Sequence, residues 1–297
     1  MQQANKTGGL PQSGAVLGVD VGFSKKRSTT GLCLLSWDAD QFEFQFECAS
    51  TPELDRRRTL RGLVADTPLL SVAIDGPLGN KLASVANYRA AEALLSQGVM
   101  QQRGKPGQTS SPLGRQLHHH ATELAKIVLE ETSVGPSCHH GAIHEKCVVE
   151  AFPNIFLAAG ISEKDLPPRT KRDASDRFWR VAANESTRLQ DLLDLLLPGR
   201  RCALGNRLPE RGRHEDKAAF ACALTALSVV AGTHIGVGDP EEGYILLPPV
   251  GWWGSSENAL PWLGSVLQHS LAVVRSRKSP NPNHRNAHLI GHDGECL

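Results

Sequence analysis

Four acidic residues sit where apolar runs stop, a placement suited to metal chemistry. Asp20 closes "LGVD" and Asp75 closes "VAID". Glu150 lies in "VVEAFP", and Asp216, beside Glu215, opens "HEDKAAFACALTAL". Brought together, these carboxylates would repel, and burial with like charge would raise their pKa values. A divalent cation removes that conflict, and all-oxygen ligation favours Mg²⁺ or Mn²⁺ over Zn²⁺. One or two such ions can activate a water and stabilise the leaving oxygen of a phosphodiester. Plainer readings exist for two of the acids. Asp20 alone reads as a turn residue, and Asp216 as a first-turn acid favoured by the helix dipole. Glu150 stands between Val149 and Ala151 in an apolar run, where a charge needs a partner.

Basic residues accompany the acids. Lys25, Lys26 and Arg27 follow Asp20, Arg169, Lys171 and Arg172 form a second group, and Arg207, Arg211 and Arg213 run up to Asp216. The last group is expected near the acids, where it could hold phosphates. Arg56, Arg57, Arg58 and Arg61 read instead as a solvated helix face. His214 reads as a proton shuttle or as a surface histidine. In "CHHGAIHEKC", Cys138, His139, His140, His144 and Cys147 offer soft ligands for Zn²⁺, or form a polar loop. Only 5% of the residues are aromatic, which argues against extensive base stacking.

The elements that must position these residues alternate in type. "AVLGVDVG", "TTGLCLLSW" and "QFEFQFECAS" read as three strands of an antiparallel meander, the third with one wet face. "TPELDRRRTLRGLVAD" reads as a helix. "LLSVAIDGPLG" then reads as a buried strand, and the right-handed crossover rule sets it parallel beside the first. Residues 80–146 read as a helical insertion, with helices in "ASVANYRAAEALLSQ" and "LGRQLHHHATELAKIVLEET". A strand returns at 147–152 and ends at Pro153. "SDRFWRVAANESTRLQDLLDLLL" reads as one amphipathic helix, "DKAAFACALTALSVVAG" as a buried one, and "EGYILLPP" as a late edge strand. Trp252 and Trp253 are expected to pack on the core edge. The order of elements is a mixed α/β pattern.

Composition sets the outer bounds. With 297 residues, 40% hydrophobic and 21% charged, the chain can bury a full core. We expect a flexible leader at 1–13, one domain at 14–274 and a disordered tail at 275–297. A net charge of +1 excludes a globally basic nucleic-acid binder but not a local basic groove. The cysteines number seven, an odd count, and several sit inside apolar runs, where a free thiol behaves as a small hydrophobe. No signal-like or membrane-spanning run is evident, so a reduced cytoplasmic protein without membrane contact is expected.

Four motifs in order resemble the DUF429 family of predicted nucleases with an RNase H-like fold. They are "GVDVG" at 18–22, "AIDGPLG" at 73–79, "VEAFPNIF" at 149–156 and "HEDKAAFACALTAL" at 214–227. Each motif is short, and the specificity lies in the ordered set. The resemblance implies an RNase H-like sheet and a metal-dependent nuclease acting on nucleic acid. Asp20, Asp75, Glu150 and an acid of the late helix, Asp216 or Glu215, would form its Mg²⁺ or Mn²⁺ site. Lys25, Lys26, Lys171, Arg211 and Arg213 would then contact the nucleic acid. One position departs from the family pattern, because Ala218 stands where an aspartate is usual. Two other readings fit parts of the chain. "DVGFSKKRSTTG" resembles the phosphate turn of actin-like and sugar-kinase-like ATP-using phosphotransferases, and Ala218 suits a catalytically inactive binding module.

Overall fold

The computed structural model describes residues 9–23, 28–79, 82, 85, 87–142, 144–168, 174–204, 213–256, 260–276 and 281–297. The three expected meander strands are β1 (Gly14–Asp20), β2 (Thr29–Trp37) and β3 (Gln41–Ser50), each antiparallel to the next. Strand β3 buries Phe42 and Phe44 on one side and turns Glu43, Gln45 and Glu47 outward, the period-2 pattern of a half-wet strand. Helix α1 (Glu53–Val64) leads to β4 (Ser71–Asp75), which pairs with β1 in parallel.

The segment between β4 and β5 holds α2 (Ala90–Leu94), α3 (Gly98–Arg103) and α4 (Pro112–Glu131). Only α4 is long. Its start is set by Ser111, whose hydroxyl accepts from the Gly114 amide, and by Pro112 in the first turn. Strand β5 (Val148–Ala151) lies parallel to β4, and Pro153 begins a short helix α5 (Pro153–Ala159). The amphipathic stretch expected as one helix is divided. Helix α6 (Ala174–Trp179) widens into a π turn at Arg180–Asn184, and α7 (Arg188–Leu196) starts afresh. The Ser186 hydroxyl donates to the Val181 carbonyl at 2.7 Å, satisfying a backbone acceptor where the helix breaks.

Strand β6 (Arg201–Cys202) adds to β3. Helix α8 (His214–Val230) is buried along nearly its whole length, and β7 (Ile235–Asp239) and β8 (Gly243–Leu247) form a hairpin after it. Helix α9 (Trp262–Ser276) and β9 (His288–Ile290) complete the chain. Among the described residues the sheet has nine strands, ordered β6-β3-β2-β1-β4-β5-β8-β7-β9. It is a mixed α/β sheet flanked by helices.

Two expectations are corrected here. Strand β8 is interior, between β5 and β7, because the unforeseen β7 and β9 extend the sheet beyond it. The C-terminal stretch expected as disordered instead carries the end of α9, a 3₁₀ turn at Pro282–Asn286 and the edge strand β9. Local bonds hold it. The Asn281 amide donates to Glu242 at 2.8 Å, and Arg275 Nε donates to the Ala287 carbonyl at 2.7 Å.

Helix α8 packs on β1, β2 and β4. Its approach depends on Gly18, where a Cβ would collide with the Ala219 carbonyl and the Ala223 backbone nitrogen. Phe220 anchors the contact, its ring 5.1 Å from Phe44 and 5.7 Å from Trp179, both edge-on. Trp252 packs against Phe156 as expected of a core-edge residue, and is almost fully buried. Among the described residues no helix is long and apolar enough to cross a membrane.

Candidate carboxylate site at the sheet edge

Asp20 and Asp75 are register partners at the carboxyl ends of the adjacent parallel strands β1 and β4. Registered neighbours project to the same face, on strands about 4.8 Å apart. That face is the one α8 covers. Gly18, two residues before Asp20, meets Ala219 and Ala223, and Gly31, the antiparallel partner of Asp20, meets Glu215. The buried Cys222 thiol on α8 is pushed up by burial first, then by the negative charges of Asp75 and Asp20. Both carboxylates therefore act on one point of the helix. Asp20 is nearly buried, and Asp75 also borders a cleft of about 370 Å³ lined by Arg89, Lys105, Glu150, Phe152 and Asn154.

Glu150 does not join that pair. It is in register with Ile74 and Ile245, one position out of step with Asp75, so the pleat directs it to the other face. The partner its burial demands is Arg89. Arg89 Nη1 donates to Glu150 Oε2 at 2.7 Å, and Nη2 donates to Oε1. Arg89 Nε also donates to Glu92 Oε1 at 3.0 Å, so one guanidinium bridges two buried carboxylates. Burial pushes the Glu150 carboxyl up, and the Arg89 charge opposes it. The expectation of Glu150 as a metal ligand is corrected to a buried ion-pair member, because its lone pairs face a guanidinium.

The acids at the start of α8 are also engaged. Asp216 accepts from Arg213 Nη2 at 3.1 Å and from Nε at 3.3 Å. Glu215 Oε1 accepts from the Thr29 hydroxyl at 2.6 Å. Burial works to raise the Glu215 carboxyl, but the Thr29 bond and the His214 and Arg213 charges outweigh it and hold it below its ordinary value. Among the described residues no three His, Cys, Asp or Glu side chains are placed to hold a metal ion together. The expected convergence of Asp20, Asp75, Glu150 and Asp216 or Glu215 thus reduces to the Asp20–Asp75 pair. Ala218 is buried on the same helix.

His214 stands 3.4 Å from Asp176, which Lys217 also binds at 3.0 Å. The His214 contact is the main cause that holds Asp176 down to about 2. Of the basic residues expected at a phosphate backbone, Lys25, Lys26, Arg27, Arg169, Lys171, Arg172, Arg207 and Arg211 lie outside the described residues. Arg213 is described, and its charge is directed to Asp216. The arginine run of α1 is not simply solvated. Arg56 is buried and donates to the Gly22 carbonyl, while Arg57 and Arg61 bind Glu131 across to α4.

In the Cys/His-rich loop, Cys138 and Cys147 meet Sγ to Sγ at 3.4 Å. The His139 ring lies edge-on to His234, and His234 edge-on to His292, at centroid separations of 5.6 and 5.5 Å. Arg89 and Glu92 were the residues missed by sequence reading. Their one signal is a spacing of three within "YRAAE", which suits a pairing at a helix start.

The fold and the acid pair together define an α/β protein with a mixed sheet and two carboxylates on neighbouring parallel strands. Comparison with protein-family models, curated proteins and solved structures finds no match for this chain.

Proposed function

We propose that this chain is a Mg²⁺- or Mn²⁺-dependent nuclease that hydrolyses phosphodiester bonds of nucleic acid at the Asp20–Asp75 edge. The observation that carries the reading is the registration of Asp20 with Asp75 at the carboxyl ends of adjacent parallel strands. Ligands bind at that edge of parallel sheets. The donor set fits one hydrated hard cation, since Mg²⁺ is commonly held by one or two carboxylates and keeps several waters. It does not fit a four-carboxylate cage for two ions, because Arg89 engages Glu150 and Arg213 engages Asp216. Bound there, the ion would supply an activated water and charge stabilisation at the phosphoryl oxygens. Asp20 and Asp75 would hold it, and Asp75 would present it to the cleft. Lys105, also lining that cleft, would face the anionic substrate.

Asp20→Asn keeps the shape of the side chain and removes its charge. We expect it to lower Mn²⁺-dependent cleavage by about a hundredfold or more, since the stabilisation at stake is several kcal/mol. Circular dichroism should show the fold unchanged. The assay uses single- and double-stranded DNA, RNA and hybrid duplexes. An Asp20→Asn variant cleaving like the parent sinks the proposal.

One observation favours a second reading, an inactive module of the same fold. Arg89 already neutralises the third acid, as a structural ion pair would. On that reading Mn²⁺ produces neither cleavage nor a change in melting temperature.

A further inference from the structure

We propose that Cys138 and Cys147 form a thiol–disulfide exchange pair that closes into a disulfide and staples the 138–147 loop. The site lies apart from the acid pair, in the loop that leads into β5. The two Sγ atoms are 3.4 Å apart, while a disulfide needs about 2.05 Å, so closure asks for a movement of only about 1.4 Å. The loop is already drawn together by its backbone. Ser137 N donates to the Glu145 carbonyl at 2.8 Å, and Cys147 N donates to the Gly135 carbonyl at 3.0 Å. Pro136 and Lys146 form an antiparallel bridge.

The two thiols differ in access, and that difference orders the reaction. Cys138 is exposed and Cys147 is fully buried. A low-molecular-weight disulfide can therefore reach Cys138 first. The Cys138 thiolate attacks one sulfur of the reagent, whose S–S bond breaks and releases one thiolate. The Cys147 thiolate then attacks Cys138 Sγ, forms the Sγ–Sγ bond and expels the second thiolate. The two cysteines lose two electrons in total, the reagent is reduced to two thiols, and the two cysteine protons end on them. The second step needs no solvent access, because the attacking sulfur is already in contact.

The staple would act on more than the loop. Gly141 packs against Tyr244 of β8 and Ile290 of β9, and His140 packs against Gly294. Closing the 138–147 ring would restrain the contact between this loop and the C-terminal edge of the sheet.

The test uses the full chain, first reduced and then treated with oxidised glutathione. Peptide mapping by mass spectrometry under non-reducing conditions should find Cys138 linked to Cys147, with the loss of two hydrogens. The exposed Cys202 and Cys296 should carry glutathione instead. The oxidised protein should melt several degrees higher than the reduced one, and Cys138→Ser should abolish that rise. The mapping needs no variant, so a misfolded mutant cannot obscure it. The proposal is overturned if Cys138 carries glutathione while Cys147 stays a free thiol. It is equally overturned if both stay free while Cys202 and Cys296 react, or if Cys138 links two copies of the chain.

Discussion

At the scale of single residues, the energetic weight lies with Arg89. Its guanidinium is buried with Glu150 on one side and Glu92 on the other. Removing one partner of such a pair leaves a buried charge uncompensated, at a cost of about 3–5 kcal/mol. Arg89→Ala should therefore lower the stability read by urea denaturation by about that much, far more than loss of the exposed Arg58. The sequence shows that Glu150 needs a partner but not which one. Arg89 lies 61 residues earlier, in a segment whose pattern suggests a longer helix than the five-residue α2. Asp20 and Asp75 were legible because each ends an apolar run, and strand ends are where parallel strands align their side chains. Glu150 misled because it sits one residue before the end of its strand, which turns it to the opposite face.

At the scale of elements, α8 and the strands beneath it decide what the acid pair can do. On α8, Glu215 meets Gly31, Ala219 and Ala223 meet Gly18, and Cys222 feels both Asp75 and Asp20. Ala218 falls on that stripe, three residues after Glu215 and four before Cys222. An Ala218→Asp substitution should thus place a third carboxylate beside the pair. Without metal it should lower the melting temperature, as a buried, like-charged group must. With Mn²⁺ the melting temperature should recover, and calorimetry should show tighter binding than in the parent. Gly18→Ala tests the packing itself. It forces a Cβ into the α8 backbone and should destabilise by about 1–3 kcal/mol in chemical denaturation. The meander and the β1–β4 pairing were readable because long apolar strands and a crossover helix leave few topologies. Strand β7 was not, because Gly236 and Gly238 interrupt its apolar pattern. The break between α6 and α7 was hidden because the apolar spacing continues across it.

At the scale of the whole molecule, the C-terminal stretch closes the sheet and assembles histidines from distant parts of the chain. His139 precedes β5, His234 precedes β7 and His292 follows β9, yet their rings stack edge to face. Burial holds His139 down to about 4 and His234 to about 3, with the neighbouring imidazoles adding to it. In the unfolded chain both titrate near about 6.5. Above that pH both states are neutral there, and the pair imposes no penalty. Below it only the unfolded chain takes up these protons, so stability falls until the folded values are reached. Melting temperature should drop as pH is lowered from about 6.5 toward 4, and His234→Leu should flatten that slope. No local pattern announces this cluster, since the polar and proline-rich composition around 280–297 reads as disorder.

The central claim, that Asp20 and Asp75 together hold a divalent cation, is open to a direct measurement. Free Mn²⁺ is followed by electron paramagnetic resonance as the full chain is titrated, for the parent and for Asp20→Asn, Asp75→Asn and Asp216→Asn. We predict one bound Mn²⁺ in the parent and in Asp216→Asn, and loss of that binding in both Asp20→Asn and Asp75→Asn. Retention of parent-like binding in Asp75→Asn, or its loss only in Asp216→Asn, would contradict the assignment.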